Sequence, residues 1–365
     1  MLAALGACMS AHAAGPAVNV VEEIRVLLRA QLADRPAESA LAALAGGDLP
    51  PRLRAVDPHA RLFAASDYRS PLLGPAAWTG IGAKLVFQGG AVVLDVYGGG
   101  PADRVGVPDR SRLLSVDGRS IDGLAPAEIA ARLRGAPDTV VTLGLTGPGG
   151  APLRAQVRRE SFRPLDIEVV APGDRRVLRL REFSAGLTRP ALLATLAYLR
   201  QAHAGGDAGD PTLIIDLRDA VGGDLYEAFD LAGLFLPQGA TLGAQRMRGG
   251  ETRDMRAPGG TKLTMPLVLL VGPDTASAAE IFAGALQQHR RARLVGQRTH
   301  GKCSSQTDVA LSDGSVLRFT NREILLPDGR SCSGVGLTPD LAVADAVLAD
   351  LGRLVEQAGV AGPAH

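Results

Sequence analysis

The 365-residue chain is poor in several residue types, and each shortage excludes something. Aromatics make up only 4% of it, so a core drawn from the 46% apolar residues must be built of Ala, Val, Leu and Ile. No apolar run reaches the roughly 18 residues that span a bilayer as a helix. Net charge is only +1, and the arginines are scattered among acids without a basic stripe interleaved with aromatics, which argues against nucleic acid as a partner. Cysteines number three (Cys8, Cys303, Cys332), no CxxC occurs, and His12, His59, His203, His289, His300 and His365 are isolated, so no metal site is expected. Scarcest among the charged types is lysine: Lys84, Lys262 and Lys302 stand alone in a Lys+Arg total of 39.

That scarcity makes each lysine informative. A coding bias that writes arginine almost everywhere has left lysine at Thr299-His300-Gly301-Lys302, twenty-five residues after Ser277 in Thr275-Ala276-Ser277-Ala278-Ala279-Glu280. A guanidinium stays protonated at any working pH, whereas a desolvated ammonium can lose its proton near neutrality. Serine on a tight turn plus neutral lysine is one recipe for an activated hydroxyl. The plainer readings are a capping box, with Ser277 and Glu280 closing a helix start, and a solvated loop lysine. His300 offers a second candidate base, with no orienting acid paired to it in the sequence.

Periodicity divides the chain. Residues 18–45 predict two helices separated at Pro36, then a break at 46–51 and a turn at Asp57-Pro58-His59 leading into a short helix. Residues 78–160 predict a β-rich module: a strand opening at Gly80-Ile81-Gly82-Ala83, a second over Ala91–Tyr97, a helix over Pro126–Arg134, and a hairpin across Gly147-Pro148-Gly149-Gly150. From about Arg163, strands and helices alternate as in an α/β layer. Strands are expected at 177–182, 212–217 and 266–271, helices at 189–203, 224–236 and 277–289, a hairpin through Asp313-Gly314, and a last helix over 341–356. The paired Gly222 and Gly223 follow one strand and Ser277 another, so in one parallel sheet both turns would meet at its carboxyl edge. There the amides of Gly222, Gly223 and Ala278 would clasp one carbonyl oxygen.

The N-terminus reads as a secretory signal lacking its positive start, with Ala11-His12-Ala13-Ala14 at cleavage spacing, so export is expected. Lipid attachment at Cys8 is a secondary branch of that expectation. Cys303 and Cys332 leave an even count in the mature region, open to a disulfide or to two free, half-buried thiols.

The segment 266–340 resembles the C-terminal processing (tail-specific) serine peptidases. The matching words are Thr275 to Glu280, Gly296-Gln297-Arg298-Thr299-His300-Gly301-Lys302 with Gln306, Asp313-Gly314-Ser315 and Gly336-Leu337-Thr338-Pro339-Asp340. Asp216 to Gly223 and Asp57-Pro58-His59 also look like family motifs, and residues 78–160 look like its PDZ domain.

The resemblance implies a multi-domain α/β (α+β) protein: a leader (1–17), a helical lead-in (18–77), a PDZ-like module (78–160), a crotonase-like α/β serine peptidase core (161–345) and a C-terminal helix. By it Ser277 is the nucleophile, Lys302 the general base, Gln306 the residue that orients the lysine, and Gly222, Gly223 and Ala278 supply the oxyanion hole. Gly80, Ile81, Gly82 and Ala83 would capture a substrate's C-terminal carboxylate. No cofactor is implied. Partners would be protein or peptide substrates, with homo-oligomerisation or an adaptor left open, and the location the periplasm or cell envelope. Two departures stand out: Cys303 where the family usually has glycine, and Cys332 where an aliphatic residue is common. A bridge between them would clamp the loop carrying the base and open activity to redox control. Thr275 in place of the more usual serine is a mild change. The rival readings are a non-catalytic PDZ scaffold and an acyl-transfer enzyme using the Gly222-Gly223 turn.

Overall fold

A computed structural model describes residues 19–68, 78–88, 90–173, 175–202, 212–260 and 262–359. The signal-like leader with Cys8, the Gly- and Asp-rich linker 204–210 and the final residues lie outside the described residues.

The described residues form two compact units, one of residues 19–68 with 244–253 and 304–324, the other of the described residues within 78–243, 254–303 and 325–359. The units cut across the division expected from the sequence, since two stretches of the expected peptidase core group with the N-terminal helices.

In the first unit the helices Val20–Gln31, Glu38–Ala43 and Leu49–Val56 present Ile24, Leu28, Leu41, Leu44 and Leu53 to Leu317 and Phe319. Asn19 caps the first helix through a side-chain bond to the Val21 N–H (3.1 Å). The third helix corrects the expected order of break and helix. Pro50 and Pro51 sit at its first turn, where a missing N–H costs nothing, and after Asp57 comes not a helix but the strand Arg61–Phe63. That strand pairs antiparallel with Val316–Leu325, Leu62 opposite Leu317. Buried Asp57 fixes the junction by accepting the N–H groups of His59 (2.9 Å) and Thr320 (2.6 Å). The hairpin through Asp313-Gly314 forms as expected, between Ser304–Ala310 and Val316–Leu325.

The second unit contains two layers of different texture. The PDZ-like part is a sheet in the order 83–88, 91–96, 111–116, 140–146, 152–158, with Arg119–Ser120 added beside the third strand. In Val140–Thr146 buried and solvent-facing residues alternate, and Val141, Leu143 and Leu145 turn inward with Val157, Leu113 and Ile129. The helix Pro126–Leu133 covers this core. Strand Glu160–Phe162 pairs with Trp78–Gly80.

The second layer is a six-stranded sheet in the order 167–170, 177–180, 213–216, 267–271, 293–296, 341–342, antiparallel only at its first pair. Leu267–Val271 (LVLLV) is buried at every position, as a central parallel strand with both faces covered must be. The expected C-terminal helix is corrected here. Leu341–Ala342 is drawn into the sheet beside Arg293–Gly296, and the remainder divides into helices Asp345–Leu348 and Leu351–Gln357, the latter capped by Asp350. Among the described residues no helix is long and apolar enough to cross a membrane.

Candidate active site

Strands 213–216, 267–271 and 293–296 run parallel, so the loops leaving their carboxyl ends share one edge of the sheet. The first loop holds Gly222-Gly223, the second Ser277, the third Lys302. Backbone bonds stitch them together: Ala276 N–H to the Ala220 carbonyl (2.9 Å) and His300 N–H to the Thr275 carbonyl (3.0 Å). The buried Thr275 hydroxyl donates to the Leu217 carbonyl (2.8 Å) and accepts from Gly272 N–H (2.9 Å). A serine hydroxyl would serve both bonds, which accounts for the mildness of that departure.

Ser277 occupies the turn between strand 267–271 and helix Ala278–Gln288 with φ 58° and ψ −123°, a conformation non-glycine residues adopt at a cost of order 1–3 kcal/mol. The strain lifts the side chain out of the helix register. Only half of the expected capping box forms. Glu280 reaches back to the Ser277 N–H (3.0 Å), but the Glu280 N–H goes to the Ser277 carbonyl (2.9 Å), and the Ser277 hydroxyl makes no capping bond.

Glu280 is the residue the sequence reading undervalued. Its side chain is fully buried. Oε1 accepts from the Thr299 hydroxyl (2.5 Å) and Gly301 N–H (2.7 Å), and Oε2 from the N–H groups of Lys302 (2.8 Å) and Ser277 (3.0 Å). One carboxylate therefore fixes the serine turn and the lysine loop to a common point. No sequence signal reveals this, because the same residue at the same spacing satisfies a local cap.

Gly222 lies against the serine. A Cβ there would stand 2.7 Å from the Ser277 Cβ and 2.9 Å from the Ala278 nitrogen, and one on Gly223 would stand 2.4 Å from the Phe183 carbonyl oxygen. With φ of 104° and 134°, the pair lets backbone approach the first turn of the helix, as the paired glycines suggested. The N-terminus of that eleven-residue helix adds positive potential beside Ser277.

The glycine loop is anchored at its root. Asp216 accepts from Arg218 at Nε (2.8 Å) and Nη2 (2.8 Å), with Arg179 also beside it. Burial pushes the Asp216 carboxyl up, but Arg218, aided by Arg179, outweighs it and holds the group well below the usual carboxylate range. A depressed folded value means that its stabilisation is complete above about pH 4 and fades as the pH falls toward that value. Asp216→Asn is expected to lower stability by about 3–5 kcal/mol at pH 7 by stranding buried guanidinium charge. Urea unfolding should show this gap narrowing in acid, and equal midpoints at pH 7 would refute it.

The remaining expected site residues are placed as follows. Lys302 is half-buried and His300 exposed. Gln306 lies in the first unit, where its Nε2 donates to the hydroxyls of Ser304 (3.1 Å) and Thr320 (3.3 Å). Cys303 and Cys332 are paired, with Cα atoms 5.3 Å apart, as in ordinary disulfides. In the PDZ-like part Gly80 ends the short strand Trp78–Gly80, so the longer strand opens at Ala83 rather than at Gly80. The carbonyls of Ile81 and Gly82 accept from Ala102 (2.8 Å) and Tyr97 (3.0 Å). Gly82 has φ 70°, and a Cβ there would collide with Pro101 at 2.5 Å. A cavity of about 530 Å³ opens between Gly80–Ala83 with Leu85 and, on the other side, Ala130 and Leu133 of the helix with Arg134 just beyond its end. Strand 83–88 stands at the edge of its sheet beside this cavity.

Comparison with known proteins agrees with this architecture. Residues 177–343 match the model of peptidase family S41, and residues 92–146 that of a PDZ domain. A probable CtpA-like serine protease of Staphylococcus aureus (strain COL) is 30% identical over 273 residues, covering 73% of this chain and 53% of the relative. The carboxy-terminal processing protease CtpA of Bacillus subtilis (strain 168) is 29% identical over 269 residues, covering 73% of this chain and 56% of the relative. The chain thus spans about half the length of these curated relatives. The solved photosystem II D1 C-terminal processing protease shares the fold, with a TM-score of 0.61 at 24% identity over 92% of this chain and 98% of that one. With an S41 peptidase match over residues 177–343 and a PDZ match over 92–146, the chain is similar to the C-terminal processing proteases.

Proposed function

We propose that this chain is an exported serine endopeptidase that hydrolyses peptide bonds near protein C-termini. The observation that carries the reading is the meeting of the Ser277 turn, the Gly222-Gly223 turn and the Lys302 loop at one sheet edge, locked by Glu280. In the proposed reaction neutral Lys302 takes the proton from the Ser277 hydroxyl as its oxygen attacks the scissile carbonyl carbon. The amides of Ala278 and the glycine turn stabilise the developing oxyanion. Lys302 then protonates the leaving amine, and water hydrolyses the acyl-enzyme. Activity rises on the alkaline side as the lysine deprotonates.

The PDZ domain adds a substrate's tail as a strand along residues 83–88, with the terminal carboxylate at the Gly80–Ala83 amides and the last side chain in the cavity. A peptide with a free C-terminus is expected to bind at least about tenfold more tightly than its amidated twin, a difference of about 1.4 kcal/mol. Fluorescence anisotropy with the full chain reads both, and equal affinities would refute carboxylate capture. A fluorophosphonate should label Ser277. Tail binding without any labelling would support the non-catalytic scaffold instead.

A further inference from the structure

We infer that the Cys303–Cys332 disulfide is a positioning staple for the lysine loop, so that full activity requires the oxidised pair; the inference rests on the proposed hydrolase reading. Cys303 directly follows Lys302, and the two sulfurs and a Glu280 carboxylate oxygen all lie within 4.8 Å of one another. The strand of loop that carries the lysine runs beside the segment that carries Cys332. Thr299 N–H donates to the Leu337 carbonyl (3.1 Å), Leu337 N–H to the Thr299 hydroxyl (2.7 Å), and Gly334 N–H to the Gly301 carbonyl (2.8 Å). The Cys332 carbonyl in turn accepts from Gly336 (2.9 Å), which closes the turn. All these bonds are short-range and exchangeable with water. The disulfide is the one covalent tie, and it joins positions 29 residues apart. It holds Cys303 while Glu280 holds the Lys302 and Gly301 amides, so the lysine stem leaves a backbone pinned on both sides.

Burial decides between a staple and a rapid sensor. Cys303 is 0% exposed and Cys332 3%, so a thiol reaches either sulfur only after the loop opens. The pair therefore stays closed in an oxidising compartment. It forms by exchange with a disulfide-bearing oxidant, which takes up the two electrons and two protons that the thiols lose. A dithiol such as dithiothreitol runs the exchange backwards. One thiolate attacks a cysteine sulfur, the second releases it, and Cys303 and Cys332 gain two protons and two electrons as the reagent closes into a cyclic disulfide.

The test compares the oxidised full chain, the same chain reduced under mild denaturation, alkylated and refolded, and the Cys303→Ala/Cys332→Ala variant. Peptide mapping verifies the bond. We expect kcat to fall about tenfold in both unbridged forms with KM changed less than threefold, and the alkaline limb of the pH–rate profile to move. Hydrogen exchange in residues 299–303 should accelerate by tenfold or more, while tail-peptide binding to the PDZ domain stays unchanged. Unaltered kcat, pH profile and exchange in a verified unbridged form that still binds tail peptide would overturn the inference. So would free thiols at both positions in active enzyme. A wild-type chain that never hydrolyses or labels sinks the hydrolase reading alone, because the exchange rates still decide whether the bridge holds the loop.

Discussion

Ser277→Ala is expected to reduce casein hydrolysis by at least about 10⁴-fold, with unfolding temperature and tail-peptide binding unchanged. Removing a nucleophile that acts with its base as one unit abolishes the covalent route and leaves only binding and oxyanion stabilisation; a 10⁴-fold loss is about 5.4 kcal/mol of transition-state stabilisation. Lys302→Ala should be comparably inactive, and Lys302→Arg the more telling variant. Arginine keeps the charge and length but cannot shed its proton, so it should fail as fully as alanine. Single-turnover cleavage assays on the three proteins read these outcomes. Substantial activity in Lys302→Arg would mean that lysine serves only as a positive charge, and His300 would return as the base to test.

Glu280→Gln carries the second largest expected effect, and it falls on both stability and rate. The carboxylate receives four donors, two on each oxygen. An amide keeps one acceptor oxygen, while its NH₂ end meets two donors in a buried site. Buried donors left without acceptors cost about 1–3 kcal/mol each, so a loss of roughly 2–5 kcal/mol is expected, read from urea unfolding. The rate should fall by about 10²-fold, because misplacing a catalytic group by an ångström is enough for that. The loss should sit in kcat rather than KM, since the proposed tail recognition is assigned to the PDZ domain. Wild-type kcat in a folded Glu280→Gln protein would show that the two loops hold their places without the shared carboxylate.

Much of the site was legible because its parts follow local rules. The unbroken apolar runs at 213–215 and 267–271 read as buried parallel strands, and each is followed by residues that only a tight turn explains. Lysine's rarity then singled out Lys302. What failed was also local in origin. The helix Leu49–Val56 hid behind Pro50-Pro51, which read as a break although prolines suit a first turn. Leu341–Ala342 read as helix because its apolar residues fit either period, and the open edge of a sheet drew it out.

Sequence by itself determined the central parallel strands 213–216 and 267–271, which serine heads a helix, and where a lone lysine follows a glycine, because backbone preference and apolar period act over a few residues. Tertiary structure alone decided that Glu280 serves two loops, that Cys303 meets Cys332, and that residues 304–324 leave the core to pack with the N-terminal helices. Those outcomes depend on which distant segments share a buried volume. A buried carboxylate must find every donor it needs wherever the fold brings one.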